Sequence, residues 1–162
     1  MNSYRTHTCS ELRAANIGKP TTLIGWVDSV RDHGGVIFID LRDRSGITQV
    51  VFHPEVNQDV AKASQQLRSE DMIQISGTVA ARLKTDTVDT TNADLPTGEI
   101  EVSADTLNVI NKADVLPFQL DRALSNEDLR LKYRFLDLRR RPWPQHADPP
   151  PRHQNHARLP GR

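Results

Sequence analysis

Phe38 is the residue of this chain whose chemistry is easiest to interpret from its neighbours. It lies between Ile37 and Ile39, so alternation along a strand places it on the same face as Asp40. An aromatic ring among charged side chains can stack on an unpaired nucleobase, and such stacking is worth about 1–3 kcal/mol per base. The pattern therefore favours binding of a single-stranded nucleic acid, and the alternative is an aromatic ring in a protein core.

The elements needed to position such a face are strands. Five segments have the apolar or alternating pattern of strands, at about residues 23–31, 36–42, 47–52, 72–79 and 99–103. A helix is predicted at about residues 59–67, and the spacing of Thr8 and Glu11 predicts a short N-terminal helix that ends at Gly18. This order is expected of a mainly β protein, a five-stranded Greek-key barrel of the OB type, whose exposed strand face binds oligonucleotides.

The composition changes near residue 141. Residues 142–162 contain six of the ten prolines and no Ile, Val, Phe, Met, Lys or Glu, so this tail is predicted to be disordered. We therefore expect three parts: a barrel domain over residues 1–109, a hinge over residues 110–140 and a disordered tail over residues 141–162.

Charge and cysteine content exclude several classes of protein. Residues 1–140 carry 17 Lys and Arg against 20 Asp and Glu, so a globally basic surface for nonspecific nucleic-acid binding is absent. No run of about 18 apolar residues could span a bilayer and no N-terminal signal pattern is present, which predicts a cytoplasmic protein without a membrane partner. The single Cys9 excludes an internal disulfide and a multi-cysteine metal site, so we interpret it as structural.

Several motifs in the predicted barrel and hinge occur together. They are Gly25-Trp26-Val27 and the segments 31–44, 46–51, 96–102, 113–118 and 131–140. From about residue 4 to residue 140 the chain closely resembles the N-terminal anticodon-binding domain of bacterial-type aspartyl-tRNA synthetases, which are class II enzymes. Relatives that charge lysine or asparagine share the barrel but look less like this sequence in the second strand and at residues 96–102.

The resemblance implies roles for two residues of the barrel face. In the family, an aromatic side chain at the position of Phe38 stacks on the central uracil of the anticodon, and a glutamine at the position of Gln49 hydrogen-bonds the edge of that base. Gln49 is in phase with Ile47 and Val51, so alternation alone predicts that it points inward. Only the resemblance makes it a base reader.

Charged residues complete the anticodon-binding set that the resemblance implies. Arg31 matches a basic residue at the anticodon loop, and Glu99 matches an acidic residue that helps to read a base. Many family members carry two arginines in the region of Ala80 and Arg82, and in this chain Arg82 matches one of them while Ala80 replaces the other. A histidine at the position of His33 occurs in family members that also charge the asparagine tRNA. Arg31, Glu99 and His33 each have a plain alternative as a solvated surface group.

The motifs of amino-acid activation are absent from the sequence. Class II synthetases hold ATP with an arginine in Phe-Arg-x-Glu and with another that ends a glycine-rich strand, and neither motif is present. We therefore predict no catalytic residue, metal ligand or cofactor in this chain, whereas the intact parent would use ATP and Mg²⁺. The expected partner is the aspartate tRNA, with the asparagine tRNA as a second candidate. The parent is expected to be a homodimer and this chain a monomer.

The tail suggests a reason for the missing domain. When the possible codons of residues 148–160 are read one nucleotide later, they can encode a basic amphipathic helix. In the family that the chain resembles, such a helix begins the catalytic domain. We therefore expect a frameshift, with a natural proline-rich linker as the alternative. Two other interpretations stay open: a free-standing OB module that binds tRNA or other single strands, and a nonfunctional pseudogene product.

Overall fold

The computed structural model describes residues 4–83, 89–118, 120 and 126–139. It contains two compact units, Met1–Asp114 and Val115–Arg162, and their boundary falls within the segment predicted as a hinge. The tail at residues 141–162, for which the sequence predicts disorder, lies outside the described residues.

The first unit contains a closed barrel of five strands. The strands are β1 (Pro20–His33), β2 (Val36–Arg42), β3 (Ile47–Phe52), β4 (Met72–Ala81) and β5 (Ile100–Asn111). Their order around the barrel is β1-β2-β3-β5-β4, and all neighbours are antiparallel except β3 and β5, which pair in parallel. The mainly β, five-stranded barrel that the sequence predicts is confirmed.

Alternation along the strands builds the core of the barrel. Side chains at every second position point inward and the others point outward. The core includes Leu23, Val27, Ile37, Ile39, Leu41, Val50, Phe52, Ile73, Ile75, Val79, Ile100, Val102 and Ala104. Full burial of a large apolar side chain contributes about 1.5–3 kcal/mol to the free energy of folding. The apolar side chains therefore fix which face of each strand points into the core, and the opposite face is available for binding.

Helix α1 (Gln58–Ser64) connects β3 to β4, where the sequence predicts a helix. The side chain of Asn57 caps it by accepting a hydrogen bond from the Val60 N–H at 3.2 Å. Ala61 is 3% exposed and belongs to the core. The helix therefore follows from its cap and from one small buried face.

The N-terminal segment differs from the prediction. Between Thr8 and Gly18 the described backbone is helical only over the short 3₁₀ turn Ala14–Asn16. One half of the predicted capping box is present, since a carboxylate oxygen of Glu11 accepts from the Thr8 N–H at 2.6 Å. The predicted short N-terminal helix is therefore present only as this single 3₁₀ turn, which begins at Ala14 rather than at the capping box.

The reason is that this segment bonds to the barrel. The Cys9 N–H donates to Asp43 Oδ2 at 3.0 Å, and the Cys9 C=O accepts from Thr48 Oγ1 at 2.7 Å. Cys9 and Leu12 are both completely buried in the core. Burial, helped by the negative charge of Asp43, raises the pKa of the Cys9 thiol to about 12, which fits the structural role predicted for it.

Asp43 organises the turn between β2 and β3. Its Oδ1 accepts from the Ser45 N–H at 2.7 Å and from the Gly46 N–H at 3.1 Å, while its Oδ2 accepts from Cys9. Burial acts to raise the pKa of Asp43, but the hydrogen bonds from Ser45, Cys9 and Gly46 outweigh it and hold the pKa below the ordinary carboxyl value. Asp43 thus joins the turn to the N-terminal segment as an ionised carboxylate.

Strand β1 contains a bulge near its middle. Val27 lies opposite Leu41, and the next paired residue, Ser29, lies opposite Asp40. Asp28 is therefore the extra residue that has no partner of its own in β2. A bulge of this kind changes which face the following side chains occupy.

The second unit contains two short helices among its described residues, α2 (Glu127–Lys132) and α3 (Arg134–Asp137). The side chain of Asn126 caps α2, and Arg130 Nε donates to Asp137 Oδ1 at 2.8 Å. Within the described ranges, the structure has no helix of the length and apolar character needed to cross a membrane.

Candidate nucleic-acid interface

Four polar side chains form a row across the outer face of β1, β2, β3 and β5. Arg31 Nη2 donates to Asp40 Oδ1 at 2.9 Å and to Gln49 Oε1 at 3.4 Å. Gln49 Nε2 donates in turn to Glu101 Oε2 at 3.0 Å. We refer to Arg31, Asp40, Gln49 and Glu101 as the polar row. Because side-chain hydrogen bonds connect its members, a ligand can replace one partner without breaking the backbone ladder of the barrel.

The registers of the strands explain why these side chains meet. Asp40 lies opposite Gln49, and the parallel pairing of β3 with β5 brings Glu101 beside Gln49. Gln49 therefore lies on the outer face, and the inward orientation that alternation alone predicts is wrong. In β3 it is Val50 that belongs to the core, while the apolar Val51 shares the outer face with Gln49. Apolar residues on both faces of this strand hide the phase of its alternation.

Phe38 lies on the same outer face, opposite Arg31, as the sequence predicts. Its side chain is partly exposed, and the ring of His33 meets it edge to face, with centroids 5.5 Å apart and planes at 78°. The turn between the two strands has φ values of +64° at Gly34 and +94° at Gly35, which favour glycine. This tight turn places His33 against Phe38.

Arg82 directly follows β4 and is 7% exposed. Its Nε donates to the Ile100 C=O at 3.0 Å and its Nη1 donates to the Thr90 C=O at 3.3 Å. Its buried Nη2 has no hydrogen-bond partner in the described part of the chain. Burial lowers the pKa of Arg82 from its ordinary value, whereas the negative charges of Glu101 and Asp40 act in the opposite direction. Arg82 is thus a buried cation with one donor that has no partner among the described residues.

Glu99 lies outside the polar row. It is exposed and precedes β5, and its backbone C=O accepts from the Arg82 N–H at 3.0 Å. The acidic residue that contacts Gln49 is instead Glu101. Reasoning from the sequence does not single out Asp40 and Glu101, although alternation could have found both. Asp40 is two residues from Phe38, and Glu101 lies between the buried Ile100 and Val102, so alternation places each on the outer face.

Comparisons with known proteins agree with this geometry. The tRNA anti-codon family, described as an OB-fold nucleic acid binding domain, matches residues 21–110. The chain belongs to this family. The matched residues begin at the second residue of β1 and end one residue before the end of β5, so the match spans the whole barrel of this OB-fold domain.

Two relatives are aspartate–tRNA(Asp/Asn) ligases. The ligase of Methylacidiphilum infernorum (isolate V4) is 51% identical over 141 residues, which cover 87% of this chain and 23% of the relative. That of Desulfotalea psychrophila is 53% identical over 137 residues, which cover 84% of this chain and 22% of the relative. The chain therefore spans less than a quarter of the length of these relatives, and its anticodon-binding domain is homologous to the N-terminal part of aspartyl-tRNA synthetases.

A solved structure shares the fold of the OB-fold domain. The asparaginyl-tRNA synthetase from Pyrococcus horikoshii, complexed with asparaginyl-adenylate, matches with a TM-score of 0.70 and 27% sequence identity. The match covers 86% of this chain and 30% of that synthetase.

The polar row gives this OB-fold domain the groups needed to read the edge of a base. An amide has two N–H donors and two acceptor sites, and the contacts with Glu101 and Arg31 use one of each on Gln49. One N–H and one acceptor site of Gln49 remain, and because this residue is only 7% exposed, a base reaches them by displacing a neighbouring side chain of the polar row. Phe38 adds an aromatic surface on the same face. This combination suits an unstacked base in a single-stranded loop.

Proposed function

We propose that this chain is the anticodon-recognising part of an aspartate–tRNA ligase and that its ligand is the anticodon loop of the aspartate tRNA. The observation that carries the proposal is the polar row, which leaves a donor and an acceptor of Gln49 for a base on the face that holds Phe38. Membership of the tRNA anti-codon family and the shared sequence with aspartate–tRNA(Asp/Asn) ligases support the same assignment.

Each site residue has a role in this proposal. Phe38 stacks on the central uracil, and Gln49 hydrogen-bonds the edge of that base. Arg31 contacts the anticodon loop, and Arg82 keeps the role in anticodon binding that the resemblance implies. Glu99 keeps its predicted role as an acidic contact to a base.

His33 extends the proposal to the asparagine tRNA. The two ligases named for both tRNAs are 51% and 53% identical to this chain, and His33 packs against the proposed stacking residue Phe38. We infer that the parent charges both tRNAs, whose anticodons share the central uracil.

The ligase chemistry is proposed for the intact parent. No group of three or more His, Cys, Asp or Glu in the described residues could hold a metal ion, and the two ATP-binding motifs are absent from the sequence. ATP and Mg²⁺ are therefore assigned to the intact parent, and no step of amino-acid activation is assigned to this chain. We propose a cytoplasmic, homodimeric parent and a monomeric state for this chain alone.

Binding of RNA stem-loops to the purified chain tests the proposal. A stem-loop with the anticodon GUC should bind more tightly than one with cytosine at the central position, by about 1–3 kcal/mol. The salt dependence should be shallow, because residues 1–140 carry more acidic than basic side chains. Equal affinities together with a steep salt dependence would identify instead a free-standing module that binds single strands without reading the anticodon.

A further inference from the structure

The bulge in β1 decides which side chains reach the outer face. Before Asp28 the odd-numbered residues of the strand, ending with Val27, point into the core. After Asp28 the odd-numbered residues Ser29, Arg31 and His33 lie opposite outward-facing residues of β2. If Asp28 instead paired regularly with Asp40, Ser29, Arg31 and His33 would be in phase with Val27 and would face the core.

An ion cluster contacts the bulge: Arg42 and Glu70 are buried, whereas the side chain of Asp28 is 37% exposed. Arg42, the last residue of β2, is 9% exposed, and its Nε donates to Asp28 Oδ1 at 2.6 Å. Its Nη2 donates to Glu70 Oε1, and Glu70 is 7% exposed. We refer to Asp28, Arg42 and Glu70 as the brace. Removing one member of a buried ion pair leaves an uncompensated charge, so the three side chains depend on one another.

The loop before β4 is hydrogen-bonded to the same place. The Glu70 N–H donates to the Val27 C=O at 2.7 Å, and the Val27 N–H donates to the Asp71 C=O at 2.9 Å. Ser69 Oγ donates to the Asp28 C=O at 3.2 Å. Glu70 has a φ of +73°, a left-handed conformation that is strained for a residue with a Cβ atom. A strained, buried, charged residue is therefore held against Val27, the residue that precedes the bulge, and is linked to Asp28 through Arg42.

We propose that Arg42 and Glu70 are positioning residues for anticodon recognition: through Asp28 they hold the bulge that turns Arg31 and His33 towards the RNA. This inference rests on the proposed function, because it assigns the brace a role in the same site. The brace acts through Arg31, whose contacts with Asp40 and Gln49 require the phase that the bulge sets.

The substitution Glu70→Gly separates this role from a purely structural one. Glycine removes the carboxylate from the brace and at the same time relieves the left-handed backbone, so the fold has a reason to survive the change. We expect the folded variant to bind the GUC stem-loop about threefold to tenfold more weakly than the parent chain. Glu70→Gln keeps an oxygen acceptor for Arg42 and should restore affinity to within about twofold. Glu127→Gln, which removes one negative charge outside the barrel, is the control and should bind like the parent chain.

A double-mutant cycle with Arg31→Ala shows whether the effect passes through Arg31. When Arg31 is absent, Glu70→Gly should weaken binding by less than about twofold, since the side chain that the brace positions is already gone. In NMR spectra of Glu70→Gly, the cross-strand contacts between Arg31 and Phe38 should weaken while those between Leu23 and Ile75 persist.

Two results overturn the inference. If the parent chain prefers the GUC loop but Glu70→Gly binds equally well, the brace has no part in recognition while the proposed function stands. If the losses from Glu70→Gly and Arg31→Ala add independently, the brace does not act through Arg31. A parent chain that does not distinguish the loops would instead refute the proposed function itself.

Discussion

Asp40 and Asp43 lie close together in the sequence, but their hydrogen bonds are of different kinds. The side chain of Asp43 is 4% exposed, and its donors include backbone N–H groups of its own turn and of the N-terminal segment. The side chain of Asp40 is 21% exposed, and its donors are the side chains of Ser29 and Arg31. Backbone donors are fixed by the fold, whereas side-chain donors can rotate away.

The difference between backbone and side-chain donors shows which polar cluster of the barrel can bind a ligand. Contacts to Asp43 could be exchanged only by unfolding the turn, so this cluster belongs to the architecture. Contacts to Asp40 can be exchanged for contacts to RNA at small cost, because exposed ion pairs are worth only about 0–1 kcal/mol. The same type of residue therefore stabilises the fold at one position and tunes a binding face at the other.

The largest expected effect comes from Asp43→Asn. The amide keeps the shape of the side chain but loses the charge and one acceptor, which leaves buried N–H groups without a good partner. We expect the free energy of unfolding to fall by about 2–3 kcal/mol in urea denaturation. The relative affinities of the folded variant for different stem-loops should not change. Altered discrimination between loops would show that Asp43 also serves the binding face.

The pH dependence of stability gives a second test of Asp43. Its pKa is lower in the folded barrel than in the unfolded chain, so its stabilisation is present above the ordinary carboxyl pKa and is lost as the pH falls through the folded pKa. Over this acidic range, the Tm of Asp43→Asn should fall less than the Tm of the parent chain. Parallel curves for the two proteins would contradict the assigned role.

Phe38→Ala should produce the next largest effect, and it should affect binding. Loss of a stacking surface is expected to weaken binding of the GUC stem-loop by about 1–3 kcal/mol in fluorescence titrations. Loops of other sequence should lose affinity by a similar amount, since every base offers a π-face to the ring. His33→Ala, which removes the neighbouring ring but leaves Phe38 in place, is the matched control and should lose less.

Gln49→Ala should change discrimination more than affinity. Without the amide, the preference for uracil over cytosine at the central position should fall by about 1 kcal/mol, as expected for the loss of one hydrogen-bonded base contact. The measurement is the ratio of the dissociation constants for the two loops. An unchanged ratio would mean that the amide does not read the base, whatever the loss in affinity.

The smallest effect is expected from Asp40→Asn, the counterpart of Asp43→Asn on the outer face. Stability should change by less than about 1 kcal/mol, because the lost ion pair is partly exposed. Affinity for all stem-loops should rise and its salt dependence should steepen, since Arg31 is released towards the phosphates. A loss of stability equal to that of Asp43→Asn would remove the distinction between the two aspartates.

The strands and the outward position of Phe38 were predictable because β2 alternates cleanly between apolar and polar residues. The face of Gln49 was not, because Val51 is apolar on the outer side and Val50 is apolar on the inner side of the same strand. Only the register with Asp40 in the neighbouring strand resolves the phase. Local patterns thus specify a strand, while its orientation in a barrel depends on the strands beside it.

Two further features depend on contacts between distant parts of the chain. The capping pattern of Thr8 and Glu11 is present, but hydrogen bonds between Cys9 and the barrel limit the N-terminal helix to the 3₁₀ turn Ala14–Asn16. The bulge at Asp28 is set by a loop more than forty residues later in the chain, so no pattern within β1 announces it. Both cases show tertiary contacts that override a local preference.

The parallel pairing of β3 with β5 also sets the order in which the barrel can close. The hairpins β1-β2 and β2-β3 pair segments that are adjacent in the sequence. The second edge of β3 can pair only after β5, which begins at Ile100, has become available. Until then the edge of β3 is unpaired and can template contacts with other chains. Closure over so long a separation is slow, so during refolding the amides of the β1-β2 hairpin should become protected from hydrogen exchange before those of β5. On a ribosome, the chain would pass through an open-sheet stage that ends only after β5 has emerged.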